Sequence, residues 1–186
     1  IKGALLSRMV FPPMSHATSF SPPNAAEAAR HALRVVVKVG SSLLAPPEGK
    51  EGADLSSIAT DVKALIDKGG EVCIVSSGAV ALGRPGLPQM GNSLADRQAL
   101  SAVGQIRLLR LWEDALGEVG LTAAQVLLTP DITGTRRRYL NARAAMRTLL
   151  SAGAVPVINE NDTVAADEIR YGDNDRLEEM TAGILG

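Results

Sequence analysis

Four short runs of β-branched and apolar residues, with helical stretches between them, constrain the fold of this chain more than any other feature. They are Val35-Val36-Val37-Lys38-Val39, Val72-Cys73-Ile74-Val75, Gln125-Val126-Leu127-Leu128 and Val155-Pro156-Val157-Ile158. Runs this continuous suit strands buried on both faces, which requires helices above and below the sheet. Between the first two, Leu55, Ile58, Val62, Leu65 and Ile66 recur at helical spacing, Asp54 offers an N-cap and Gly69-Gly70 a stop. That is a β-α-β unit. A second helical region runs from about Ser93 to Gly117, with an interruption expected near Gly104. A third runs from about Leu140 to Ala152 and ends at Gly153. The alternation predicts an α/β fold: a three-layer α/β/α sandwich around a mostly parallel sheet, with right-handed crossovers.

The chain has 186 residues, 46% of them hydrophobic, enough for one sizeable core. Residues 1–33 are rich in Ala, Ser and Pro, begin with Ile and show no sustained period, so they read as a loose arm or a remnant of cloning, with Met14 a candidate start. The folded unit is expected over residues 34–186, without an internal repeat. A net charge of -1 supplies no global field for nucleic acid or an anionic membrane, so an anionic ligand must be held by local groups. The run Arg136-Arg137-Arg138 reads as a solvated face, since no nucleic-acid-binding motif accompanies it. No apolar run approaches the roughly 20 residues that span a bilayer. The single cysteine, Cys73, sits inside an apolar run and reads as a buried structural thiol. A reducing cytoplasm fits that usage. His16 and His31 fall in the arm and receive no role.

Four segments carry chemistry. The first strand runs into Lys38-Val39-Gly40-Ser41-Ser42, a cation and a small-residue turn at the carboxyl end of a strand, where open α/β sheets bind ligands. Gly40 would let backbone N–H groups approach phosphate oxygens, with the Lys38 ammonium neutralising their charge; the bland alternative is a lysine emerging from a strand and a glycine making a turn. The spacing is not that of a Walker A loop. The second strand ends in Ser76-Ser77-Gly78-Ala79, where hydroxyls and N–H groups either cradle an anion or cap the following helix. The fourth ends in Asn159-Glu160-Asn161-Asp162-Thr163, a polar cluster costly beside a core unless partnered, or else an Asx-rich turn. Gly172-Asp173-Asn174-Asp175 follows after a stretch, 164–171, short enough to double back as a hairpin or excursion loop, so both clusters can face one cavity. Carboxylates there would hold an α-ammonium, while amides and the Ser77 turn would hold carboxylates. Grouped acids also suggest Mg²⁺ or Ca²⁺, but EF-hand spacing is missing and no metal ligands are assigned. Small residues between Asp96 and Gln105 suit tight helix packing and could border the pocket. Trp112 reads as core or subunit interface.

Taken in order, Val37-Lys38-Val39-Gly40-Ser41-Ser42, Ser77-Gly78-Ala79-Val80-Ala81-Leu82-Gly83-Arg84, Arg97-Gln98-Ala99-Leu100, Ala102-Val103-Gly104-Gln105, Tyr139-Leu140-Asn141-Ala142-Arg143, Val155-Pro156-Val157-Ile158-Asn159-Glu160-Asn161-Asp162 and Gly172-Asp173-Asn174-Asp175 resemble the amino acid kinase family and, within it, the glutamate 5-kinases. The resemblance covers about Arg34 to the C-terminus. It implies an amino acid kinase-like fold and ATP-dependent phosphorylation of the γ-carboxylate of L-glutamate, the first step of proline biosynthesis. It also implies that Lys38 is catalytic and touches the transferring phosphate, that Gly40 and Ser41 belong to the ATP phosphate turn, and that Ser77, Asp162 and Asn174 bind glutamate. Gly78, Asn159, Asp173 and Asp175 would line the same site. Mg²⁺ would arrive with ATP, proline would act as feedback inhibitor, and the enzyme would be a homo-oligomer, dimer or tetramer. The sequence stops at Gly186, where the family would continue into adenine-binding strands and a second catalytic lysine. The chain is therefore expected to be the amino-acid-binding part of the kinase domain, inactive alone. Two alternatives stand beside this: a non-catalytic glutamate- or proline-binding module, and a kinase acting on aspartate, acetylglutamate or a nucleoside monophosphate.

Overall fold

The computed structural model describes residues 34–45, 54–129, 132, 134–164 and 173–185, with backbone alone for 173–176. The N-terminal arm, most of the stretch 164–171 and Gly172 lie outside the described residues. The elements are β1 (Arg34–Val39), α1 (Ser41–Leu44), α2 (Leu55–Ile66), β2 (Glu71–Ser76), α3 (Ala79–Gly83), α4 (Leu94–Glu118), β3 (Thr122–Leu128), α5 (Arg136–Ser151), β4 (Ala154–Glu160) and α6 (Asp173–Leu185), with 3-10 turns at Arg84–Gly86 and Asp162–Val164.

Among the described residues the sheet has four strands, all parallel, in the order β1-β2-β4-β3. Alternation along β1 sends Val35, Val37 and Val39 to one face, against Ala59 and Val62 of α2 and Leu108, Trp112, Ala115 and Leu116 of α4. Val36 goes to the other, with Cys73 and Val75, against Met146 and Leu150 of α5 and Leu177, Ala182, Ile184 and Leu185 of α6. The three-layer α/β/α sandwich follows from that period of two with apolar residues on both faces. The chain steps in one direction across the sheet through β1, β2 and β3 with its helices on the first face. It then steps back from β3 to β4 with α5 on the second. Reversing direction and face together keeps one hand of crossover throughout.

Helix α2 matches its signals: the Asp54 carboxylate accepts from Ser57 N at 3.2 Å, and Gly69, at φ 84, closes the end while Gly70 N donates to Leu65 O at 3.1 Å. Three expectations need correction. Helix α4 runs unbroken for 25 residues through Gly104. A glycine there serves a backbone contact: a Cβ on Gly104 would lie 1.7 Å from Ala79 O, and one on Gly83 would lie 1.9 Å from Leu100 O, so α3 and α4 touch main chain to main chain. Helix α5 begins at Arg136, four residues before the expected Leu140, so the arginine run lies exposed on its first turn. Strand β3 is largely open to solvent at Thr122, Gln125 and Leu127, because among the described residues it pairs with β4 alone. Trp112 is fully buried, and its indole Nε1 donates to Ser76 Oγ at 2.9 Å.

The candidate acceptor site

Every strand presents its carboxyl end to the same edge of the sheet. There the connection after β2 leaves by the first face, through α3 and α4, while the chain after β4 leads to α6 on the second. Neighbouring strands whose connections part to opposite faces leave a crevice between their ends, the place where open α/β sheets take ligands. The β2–β4 ladder stops at Val75–Ile158, so Ser76-Ser77 and Asn159-Glu160 lie beyond the pairing of β2 with β4, although Ser76 still pairs with Val39 of β1 and Asn159-Glu160 with Leu127-Leu128 of β3. The crevice is thus lined by two of the polar turns singled out in the sequence.

On the β2 side, Ser77 N donates to Val39 O at 2.9 Å, tying the turn to the end of β1. Gly78 follows at φ +110, a conformation that favours glycine. A Cβ there would make ordinary contact with Ser41 Cα at 3.4 Å and Leu44 Cβ at 3.6 Å, so the turn lies against α1 and the demand for glycine comes from φ. The N-cap residue of α3 is Gly78, without a side-chain cap; Ser76 Oγ accepts from Trp112, and Ser77 is buried at the crevice. Gly40 is the N-cap residue of α1 with φ -75, so positive φ is not its purpose; nothing lies within 4 Å of where its Cβ would stand. Ser41, the first residue of α1, is exposed beside that open space.

On the β4 side the polar cluster divides. Asn161 makes a local turn, accepting from Thr163 Oγ1 at 2.6 Å on its side chain and from Val164 N at 3.2 Å on its carbonyl, while its own N–H donates to Leu128 O at 2.8 Å. Asn159 and Glu160 are buried, at 6% and 9% exposure, where a turn alone would leave them wet. Asp162 is reached from α4, with Ser101 Oγ donating to its Oδ2 at 2.5 Å. Gln105 Nε2, one turn on, donates to Glu160 O at 3.2 Å. Asp173, Asn174 and Asp175 open helix α6 instead of extending a loop; acidic residues in a first turn suit the helix dipole. Their side chains lie outside the described residues.

Lys38 is half-buried on β1 and shares the second face with Val36. Its charge acts on Glu178 of α6, a residue with no signal of its own in the sequence, since a glutamate on a helix is ordinarily solvated. Glu178 is 8% exposed, and burial raises its carboxyl above the usual range, against the opposing pull of Lys38 and with a smaller push from Glu179. Ser101 and Gln105 carry no individual signal either; the sequence says only that the stretch Asp96 to Gln105 could border the pocket. Among the described residues no group of three or more His, Cys, Asp or Glu side chains is placed to hold an ion, and no helix is long and apolar enough to cross a membrane.

The Amino acid kinase family profile matches residues 33–186. The chain is 53% identical over 159 residues to "Glutamate 5-kinase" of Cereibacter sphaeroides, covering 84% of this chain and 43% of that protein. It is 52% identical over 159 residues to "Glutamate 5-kinase" of Ruegeria sp., covering 83% and 43%. With "Glutamate 5-kinase" of Thermus thermophilus it shares 49% over 156 residues, covering 83% and 42%. It thus spans less than half the length of the curated relatives it matches. The profile match, the parallel sandwich and the polar crevice at its switch point agree, and the chain belongs to the amino acid kinase family.

Proposed function

We propose that the full-length protein transfers the γ-phosphoryl group of ATP to the γ-carboxylate of L-glutamate, giving ADP and γ-glutamyl phosphate, in the cytoplasm and as the first step of proline biosynthesis. The observation that carries this reading is the crevice between β2 and β4, with Ser77 on one wall and Asn159 and Asp162 on the other. Relatives at about half identity bear the name of that activity.

The charges support it. Asp162 offers a carboxylate for the α-ammonium of an amino acid, with Asn159 and the Ser77 turn as partners for its carboxylates. Asp173, Asn174 and Asp175, at the start of α6, belong to the same proposed site through the family pattern. A γ-carboxylate is ionised at neutral pH, so the nucleophile needs no general base. The task left to the protein is to align two anions and offset their repulsion. Lys38 supplies a cation at the end of β1, and the open space before Gly40, beside Ser41, leaves room for phosphate oxygens close to the main chain. These residues fit the polyphosphate of ATP, and the Mg²⁺ that ATP carries would neutralise part of its charge. We read the 186 residues as the amino-acid-binding part of this kinase, with proline as inhibitor and a homo-oligomeric assembly.

Glutamate-dependent ADP formation by the full-length protein is the test. Asp162→Ala should abolish it, and unchanged activity in that variant would sink the assignment.

A further inference from the structure

Serine and threonine hydroxyls inside helices often donate to the carbonyl one turn back. Thr60, Thr148 and Thr181 do so here, donating to Ser56 O, Ala144 O and Leu177 O at 2.8, 2.9 and 2.7 Å. Ser101 does not. It is 1% exposed on α4, and its hydroxyl reaches across 61 positions of sequence to Asp162 Oδ2 at 2.5 Å. A hydroxyl has one proton to give, so this donor is committed to the carboxylate. The distance falls in the short range of hydrogen bonds to an ionised acceptor.

The helix that presents Ser101 is held from several sides. Its N-terminus is closed by the Ser93–Asp96 capping box, Trp112 anchors it to β2, and Gly104 locks it against α3. Gln105 adds a second tie, to the carbonyl of Glu160. Helix α4 is thus a rigid rail along the exit of β4, and Ser101 is its contact with the carboxylate there.

We propose that Ser101 is a positioning residue for the amino acid substrate: acting through Asp162, it fixes the direction in which that carboxylate meets the α-ammonium group. This role rests on the acceptor-site reading above. A carboxylate that loses this donor loses one of its restraints, and the substrate would have to supply more of its ordering on binding.

Kinetics on the full-length protein test this with Ser101→Ala and Ser101→Thr. Ser101→Ala should raise KM for glutamate about tenfold, the size expected for one lost hydrogen bond to a charged group. KM for ATP should stay at the wild-type value, kcat should move far less than KM, and Ser101→Thr should restore much of the affinity. A wild-type KM for glutamate in Ser101→Ala, or a Ser101→Thr variant no better than Ser101→Ala, would overturn the positioning role while leaving the kinase reading intact. Wild-type protein that releases no ADP with glutamate would overturn the reading itself and the role with it.

Discussion

Replacing Gly104 by alanine sets two opposing effects against each other inside one helix. In an open helix the change stabilises by up to about 1 kcal/mol, because alanine restricts the unfolded chain and glycine is a poor helix former. Here the new Cβ would stand 1.7 Å from Ala79 O, 2.6 Å from Ala79 C and 2.8 Å from Gly83 N. A relaxed carbon contact needs about 3.5 Å, so α3 must retreat by more than an ångström. All three contacting atoms are backbone, so no flexible side chain can yield. Retreat would lift Ala79 out of the core and pull on the neighbouring Ser77–Gly78 turn. Overpacking of this kind costs about 1–3 kcal/mol, and the rigidity of both partners argues for the upper end. Set against the helix preference, the net loss is about 2 kcal/mol, which for a chain of this size lowers Tm by roughly 4–8 °C. Thermal unfolding followed by circular dichroism measures it. Gly117, in the same helix, is the control: nothing lies within 4 Å of where its Cβ would stand, so Gly117→Ala should gain up to about 1 kcal/mol. If Gly104→Ala proved as stable as Gly117→Ala, the main-chain contact between α3 and α4 would be refuted.

Burial pushes the Cys73 thiol up to about 12 from its ordinary 9.0, so the native protein should resist maleimide at pH 8 and react fully once unfolded. The same shift makes stability fall as pH climbs from 9.0 towards 12, since the unfolded thiol releases its proton first; an alkaline slope identical in Cys73→Ala would count against it. For Glu178 the raised carboxyl means that ionisation opposes folding: its contribution is fully present below the unfolded value and lost as pH rises through the folded one. Glu178→Gln should therefore equal or exceed the wild type in stability at pH 7, with the advantage shrinking in acid. Urea denaturation at both pH values decides, and a destabilised variant at pH 7 would show that the charge of Lys38 outweighs burial.

The sequence by itself determined what is local. Strand runs of period two, the Asp54 cap and the Gly69-Gly70 stop act over a few residues, and the structure carries them nearly where they were read. The ordered motifs also marked two polar turns at strand ends. Tertiary structure decided what depends on distant partners. The order β1-β2-β4-β3, which makes the two turns neighbours, comes from strand pairing across dozens of residues. Gly104 read as a helix break because its reason lies on another helix, at Ala79 O. Ser101 looked like any small helical residue. Its hydroxyl had a carbonyl one turn away by default, and only the packing of α4 against the end of β4 gave it a carboxylate instead.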